Sequence, residues 1–170
     1  MQPSDHLRSF LTATGLGAGD PEFEGTPERV AELLAGFVPQ PVRAPSICAT
    51  TVRAPVVVSG LRFHSLCAHH LLPFFGTVAV GYLPRDRMVG FGSVPRLVED
   101  LSRRAQLQER LGTQILAELV GWLAPEAAVV AIRARHLCME MRGARAEGEV
   151  FTLAVHGTPD RALLDEVRGR

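Results

Sequence analysis

The apolar positions of this chain change period along its length, and the changes mark out the elements. From Thr26 the spacing is helical: Val30, Leu33, Leu34 and Phe37 fall on one face. Thr26-Pro27 supplies an N-cap residue and then a residue suited to the first helical position. Pro39, Pro41 and Pro45 end that helix and predict an extended connector. Residues 49–60 and 74–83 are rich in Val, Thr and aromatic residues and predict two strands. Leu107, Leu111, Ile115 and Leu119 recur every fourth residue, which predicts a helix over 107–123, closed by Pro125. A helix over 94–105 precedes it. Residues 127–139 and 149–156 predict two further strands, and 159–168 a terminal helix. A short helix around residues 6–12 and a Gly-rich turn stand at the start. Two strands, two helices and two strands with helical ends make an α+β fold. With no repeat or linker in view, residues 1–25 read as an N-terminal helical extension and 26–170 as one domain.

Composition narrows the function classes. A chain of 170 residues with 46% apolar content can bury a sizeable core. No apolar run approaches the ~20 residues of a membrane span, and Met1 to Gly15 lacks the apolar core of a secretory signal. The expectation is therefore a cytoplasmic protein with no membrane partner. Basic and acidic residues number 18 each, so net charge is zero; a nucleic-acid binder usually carries a basic excess. Every basic residue is Arg, which removes any mechanism needing a lysine of this chain. Three cysteines, Cys48, Cys67 and Cys138, do not suit a disulfide framework. Cys48 has no His beside it and reads as structural, and His6, His64 and His156 are assigned no role.

Two segments concentrate the chemistry. Cys67 and His70 stand three residues apart in Cys67-Ala68-His69-His70, so a turn lets both reach one ion. Downstream comes His136-Leu137-Cys138. On a strand, Val130, Ile132, Ala134, His136 and Cys138 would share a face. Zinc takes thiolate and imidazole donors at 2.0–2.3 Å, and Cys67, His70 and Cys138 would supply three, leaving a position for water. A closed structural site is the competing reading, because His69 or His136 offers a fourth donor.

These residues also carry a family resemblance. The segment Ser65-Leu66-Cys67-Ala68-His69-His70-Leu71-Leu72-Pro73-Phe74 resembles the Cys-Glu-His-His segment of GTP cyclohydrolase I. Gly81-Tyr82-Leu83-Pro84, the helix start Ser102 to Leu111 and His136-Leu137-Cys138-Met139-Glu140-Met141-Arg142-Gly143 resemble three more of its motifs, in order and spacing. The resemblance implies the tunnelling fold (T-fold), an antiparallel sheet with two helices. Its subunits form a ring-based homo-oligomer, typically a decamer of two pentameric rings, with active sites between subunits. It implies Zn2+ on Cys67, His70 and Cys138, with His69 and His136 as proton-transfer residues. It implies GTP as substrate, opened at C8 of guanine with release of formate to give 7,8-dihydroneopterin triphosphate. Glu109 matches the carboxylate that reads guanine, Gln108 helps hold the base, and Arg29, Arg96 and Arg142 match triphosphate-binding positions.

The sequence departs from that pattern mainly on the phosphate side. Ala68 replaces the Glu between Cys and His, Gly92 a Ser, Ser93 a phosphate-binding Lys, and Glu32 a second Lys. A carboxylate beside a phosphate chain repels it. The departures leave two explanations: other arginines such as Arg62 or Arg103 compensate, or the substrate is a guanine compound with fewer phosphates or the reaction stops before pterin closure. A non-catalytic zinc-stabilised oligomer is the rival from a different class. Related nitrile reductases share the implied fold, but their Glu-Ser-Leu-Lys motif is absent.

Overall fold

A computed structural model describes residues 1–169 of the chain. They form two compact units, Met1–Val38 and the residues from Pro39 onward. In the first, α1 (Pro3–Thr14) and α2 (Thr26–Ala35) pack together, with a single 3-10 turn at Pro21–Phe23 between them. Thr26 lies inside α2, and Gly25, in the left-handed conformation with φ 74°, takes the N-cap place expected of Thr26.

The second unit is built on a five-stranded sheet. Its strands are β2 (Val56–Cys67), β3 (Pro73–Leu83), β5 (Ala105–Gln106), β6 (Ala127–His136) and β7 (Glu149–Gly157), in the order β5-β2-β3-β6-β7. All pairings are antiparallel except β2–β5, so the sheet is mixed rather than purely antiparallel. A separate antiparallel pair joins β1 (Ile47–Ala49) to β4 (Arg87–Val89). The helices are α3 (Ser93–Ser102), α4 (Gln108–Leu123), the single turn α5 (Leu137–Glu140) and α6 (Arg161–Arg168).

Periodicity dictates which faces meet. Val94, Leu97, Val98 and Leu101 of α3 and Leu111, Ile115, Leu119 and Leu123 of α4 are buried. They pack with Phe63, Phe74, Val78, Val80, Val130 and Ile132 from one face of the sheet. On the other face, α6 buries Leu163 and Val167 against Val129 and Ala131. The run Ala127–Ile132 is apolar at every position because β6 is covered on both sides. Gly76 has its own cause: a Cβ there would lie 1.9 Å from the Arg133 carbonyl oxygen, so the β3–β6 approach admits only glycine.

Three expectations are corrected here. The first long strand covers 56–67 rather than 49–60, running through the polar segment that precedes the hairpin. Gly60, at φ 71°, makes the bulge where the β2–β3 register shifts between Val58 and Leu61. The helix expected over 94–105 stops at Ser102, because Ala105 and Gln106 leave it to pair with the end of β2. The strand expected over 127–139 ends at His136, and Leu137–Glu140 turn into α5.

Candidate metal centre and its histidines

The β2–β3 hairpin brings the first two donors together. Cys67 closes β2, and its carbonyl accepts from the amides of His70 at 3.3 Å and Leu71 at 2.8 Å. Leu71 is left-handed at φ 54°, a conformation that costs a branched residue energy and that is held by the Cys67 amide donating to the Leu72 carbonyl. The tight turn sets Cys67 Sγ 3.7 Å from His70 Nδ1. Donors at zinc bond lengths and tetrahedral angles are separated by about 3.5–3.8 Å. The turn is tied to β5, just before α4, by the Ala68 amide donating to the Gln106 carbonyl at 3.0 Å. Gln106 is fully buried, and sequence reading did not single it out.

Cys138 arrives from α5, not from the face of a strand. Arg135, near the end of β6, grips Glu140 through two hydrogen bonds of 2.7 and 3.0 Å and so pins that single helical turn. The result is one cluster: donor atoms of Cys67, His70 and Cys138 all lie within 4.8 Å of one another. Among the described residues it is the only such group, and neither His69 nor His136 joins it. Three grouped donors match an open arrangement better than a closed four-donor one. Burial, then the neighbouring Cys67 sulfur, push the Cys138 thiol above its ordinary value, with Arg142 opposing. Two such sulfurs are poor company as thiolates without a cation, so the donor set fits a divalent metal of zinc type. Arg142 donates to His70 Nε2. Ligation through Nδ1 requires a proton on Nε2, so that contact must open when a metal binds.

His136 sits at the end of β6, opposite Phe74 in the β3–β6 register. The two rings are parallel, with centroids 4.8 Å apart. Burial pushes the His136 imidazole below its ordinary value, and the Glu109 carboxylate pulls the other way. Glu109 stands exposed in the first turn of α4, where the helix dipole favours a carboxylate. With Gly112, Thr113, Thr152, Leu153 and Ala154 it lines a cleft of about 200 Å³. His69 is exposed on the hairpin, its ring 6.0 Å from that of His70.

The remaining expected residues are placed differently. Gln108 is 1% exposed and its amide is engaged inside the protein, so its side chain is not a contact for a base. Arg96 donates to Ser93 Oγ at 3.1 Å from the first turn of α3. Arg29 belongs to the first unit, where it donates to Thr26 Oγ1 at 2.8 Å and to the Glu22 carbonyl at 3.3 Å.

A three-donor thiolate–imidazole cluster beside two further histidines can polarise water and move protons, which is the equipment of a metal-assisted hydrolase. The family model for GTP cyclohydrolase I matches residues 4–167. The chain is 42% identical to the GTP cyclohydrolase 1 of Hyperthermus butylicus over 170 residues, 95% of this chain and 85% of that protein. It is 39% identical to that of Listeria innocua over 176 residues, 96% of this chain and 92% of the other. The Helicobacter hepaticus enzyme is 37% identical over 178 residues, covering 92% and 84%. The chain belongs to the GTP cyclohydrolase I family.

Proposed function

We propose that this protein opens the guanine imidazole ring of GTP at C8, releasing formate and forming 7,8-dihydroneopterin triphosphate, with Zn2+ on Cys67, His70 and Cys138. The observation that carries the reading is the convergence of those three donors in a chain of this family. A zinc ion held there would supply water of lowered pKa at neutral pH. The rest falls to side chains. Ring opening needs a proton delivered to a ring nitrogen, and the imidazoles of His69 and His136 suit that transfer at neutral pH. Glu109 can accept from guanine N1–H and the 2-amino group together. Arg29, Arg96 and Arg142 are proposed for the phosphates.

The assembly is proposed on similar grounds. A ligand of nucleotide size occupies about 300–1,000 Å³, and the 200 Å³ cleft at Glu109 falls short of that. One wall is β7, an edge strand of the sheet. A second copy against that edge would complete the cleft, as in a T-fold decamer of two pentameric rings. The proposed location is cytoplasmic; among the described residues no helix is long and apolar enough to cross a membrane.

A second reading, a guanine nucleotide with fewer phosphates, is favoured by Ser93. Its hydroxyl is buried, holding the Ser46 amide at 3.0 Å and Arg96 at 3.1 Å, and it offers nothing to a γ-phosphate. One experiment separates the two. Zinc-loaded protein is incubated with GTP, GDP and GMP, with formate and product masses measured. Formate and dihydroneopterin triphosphate from GTP support the first reading, and turnover of GMP alone the second. No formate from any of the three rejects both.

A further inference from the structure

Gln108 carries more interactions than a helix-start residue needs. Its amide nitrogen lies 3.2 Å from the Ile132 carbonyl, 3.0 Å from the Val150 carbonyl and 3.1 Å from Thr152 Oγ1. Backbone carbonyls only accept, so the nitrogen must be the atom facing them; a flipped amide would set oxygen against two oxygens. The orientation leaves Gln108 Oε1 2.7 Å from His136 Nε2. An amide oxygen only accepts, so Nε2 must carry a proton.

We propose that Gln108 is a positioning residue that holds His136 as the Nε2–H tautomer and reserves Nδ1 for the reaction. The fixed orientation starts in the sheet: β6 and β7 orient the amide, and the amide orients the imidazole. Phe74 stacks on the ring face and blocks tilting, while the hydrogen bond at Nε2 limits rotation in the plane. Because Gln108 is a neutral acceptor, it can hold Nε2–H of both the neutral ring and the imidazolium. It sets the tautomer without the large gain in basicity that a carboxylate partner would bring. Gln108 also places Glu109, its neighbour in the first turn of α4, so the base reader and the proton-transfer group share one anchor.

This role rests on the proposed function for His136 as a proton-transfer group, but its first test does not need activity. The zinc-loaded wild type, labelled with 15N in histidine, is examined by NMR at a pH where His136 is neutral. Proton attachment at Nε2 and a bare Nδ1 are expected; the reverse pattern overturns the proposal, whether or not GTP is turned over. The second test is Gln108→Met, which keeps the volume and removes the acceptor. It should bind zinc with wild-type stoichiometry, show mixed His136 tautomers, and lose about 10- to 100-fold in kcat with little change in KM for GTP. A raised KM with unchanged kcat and an unchanged tautomer would mean that Gln108 contacts the base, and the positioning role would fall. Should wild-type protein release no formate from GTP, the function is wrong, and the wild-type NMR pattern alone decides the proposal for Gln108.

Discussion

Sequence assigns Cys138 to the three-donor set and offers His69 or His136 as the fourth donor of the competing closed site, and the structure sorts them by place. Cys138 is within the donor cluster, whereas the other two stand outside it. Cys138→Ser should therefore lose most of the zinc that elemental analysis finds in the wild type. His69→Ala and His136→Ala should keep it while losing formate release by at least about 100-fold. Zinc lost from either His variant would return that residue to the ligand set. Ser93 gives a second prediction at this scale. At an exposed phosphate site, Ser93→Lys would simply add a cation. Here the side chain is 2% exposed and its hydroxyl receives the Ser46 amide. Lysine must either bury an ammonium or displace the connector, so thermal or denaturant unfolding should show a loss of at least about 2 kcal/mol. A Ser93→Lys protein as stable as the wild type would show that the 43–46 connector can open.

Single elements carry the next pair of effects. The short helix α5 brings only one turn of its own hydrogen bonding, and the Arg135–Glu140 pair pins it. Glu140→Ala removes the pin and leaves every donor intact. Outer-shell changes of this kind typically cost 10- to 100-fold in metal affinity, so chelator competition should show zinc held about tenfold more weakly. Unchanged affinity would mean the hairpin and Cys138 hold their places alone. The connector before β1 is fastened to α3 by Arg43, which donates to both Glu99 and Asp100. Burial by itself would raise the Asp100 carboxyl. The hydrogen bonds of the Arg43 side chain and amide, with the charges of Arg43 and Arg104, outweigh it and hold the group below its ordinary value. A carboxyl lowered on folding contributes stability that is present above its unfolded pKa and lost as pH falls through the folded one. Arg43→Ala should therefore melt below the wild type at pH 7, and the gap should close as pH drops below about 4. A gap of constant size down to pH 3 would assign the effect to packing of the arginine stem instead.

At the scale of the whole molecule, open edges are the main feature. The sheet ends in β7 on one side, and β2 is paired by β5 only at Leu66 and Cys67 on the other. Such edges invite pairing between chains unless something covers them. Light scattering at micromolar concentration should report a ring-sized homo-oligomer. A monomer would remove the second wall proposed for the Glu109 cleft.

What was legible in the sequence was whatever depends on residue type and short spacing. Helical periods announced α2 and α4, the strand expected over 127–139 overlapped β6, and the Cys67–His70 interval announced a local two-donor turn. The family motifs extended that reading to Glu109 and the two histidines, again as identities at positions. Tertiary structure decided the rest, because long-range partners set it. Where β2 begins and ends depends on its pairing with β3 and on a bulge at Gly60. Cys138 reaches the cluster through a helical turn held by an ion pair, not through strand alternation. The family motif reads Gln108 as a residue that helps hold the base, and only the carbonyls of Ile132 and Val150 turn its amide inward to His136. Local pattern fixes which face of an element is apolar; hydrogen-bond partners 24 and 42 residues away determine what its polar side chains are for.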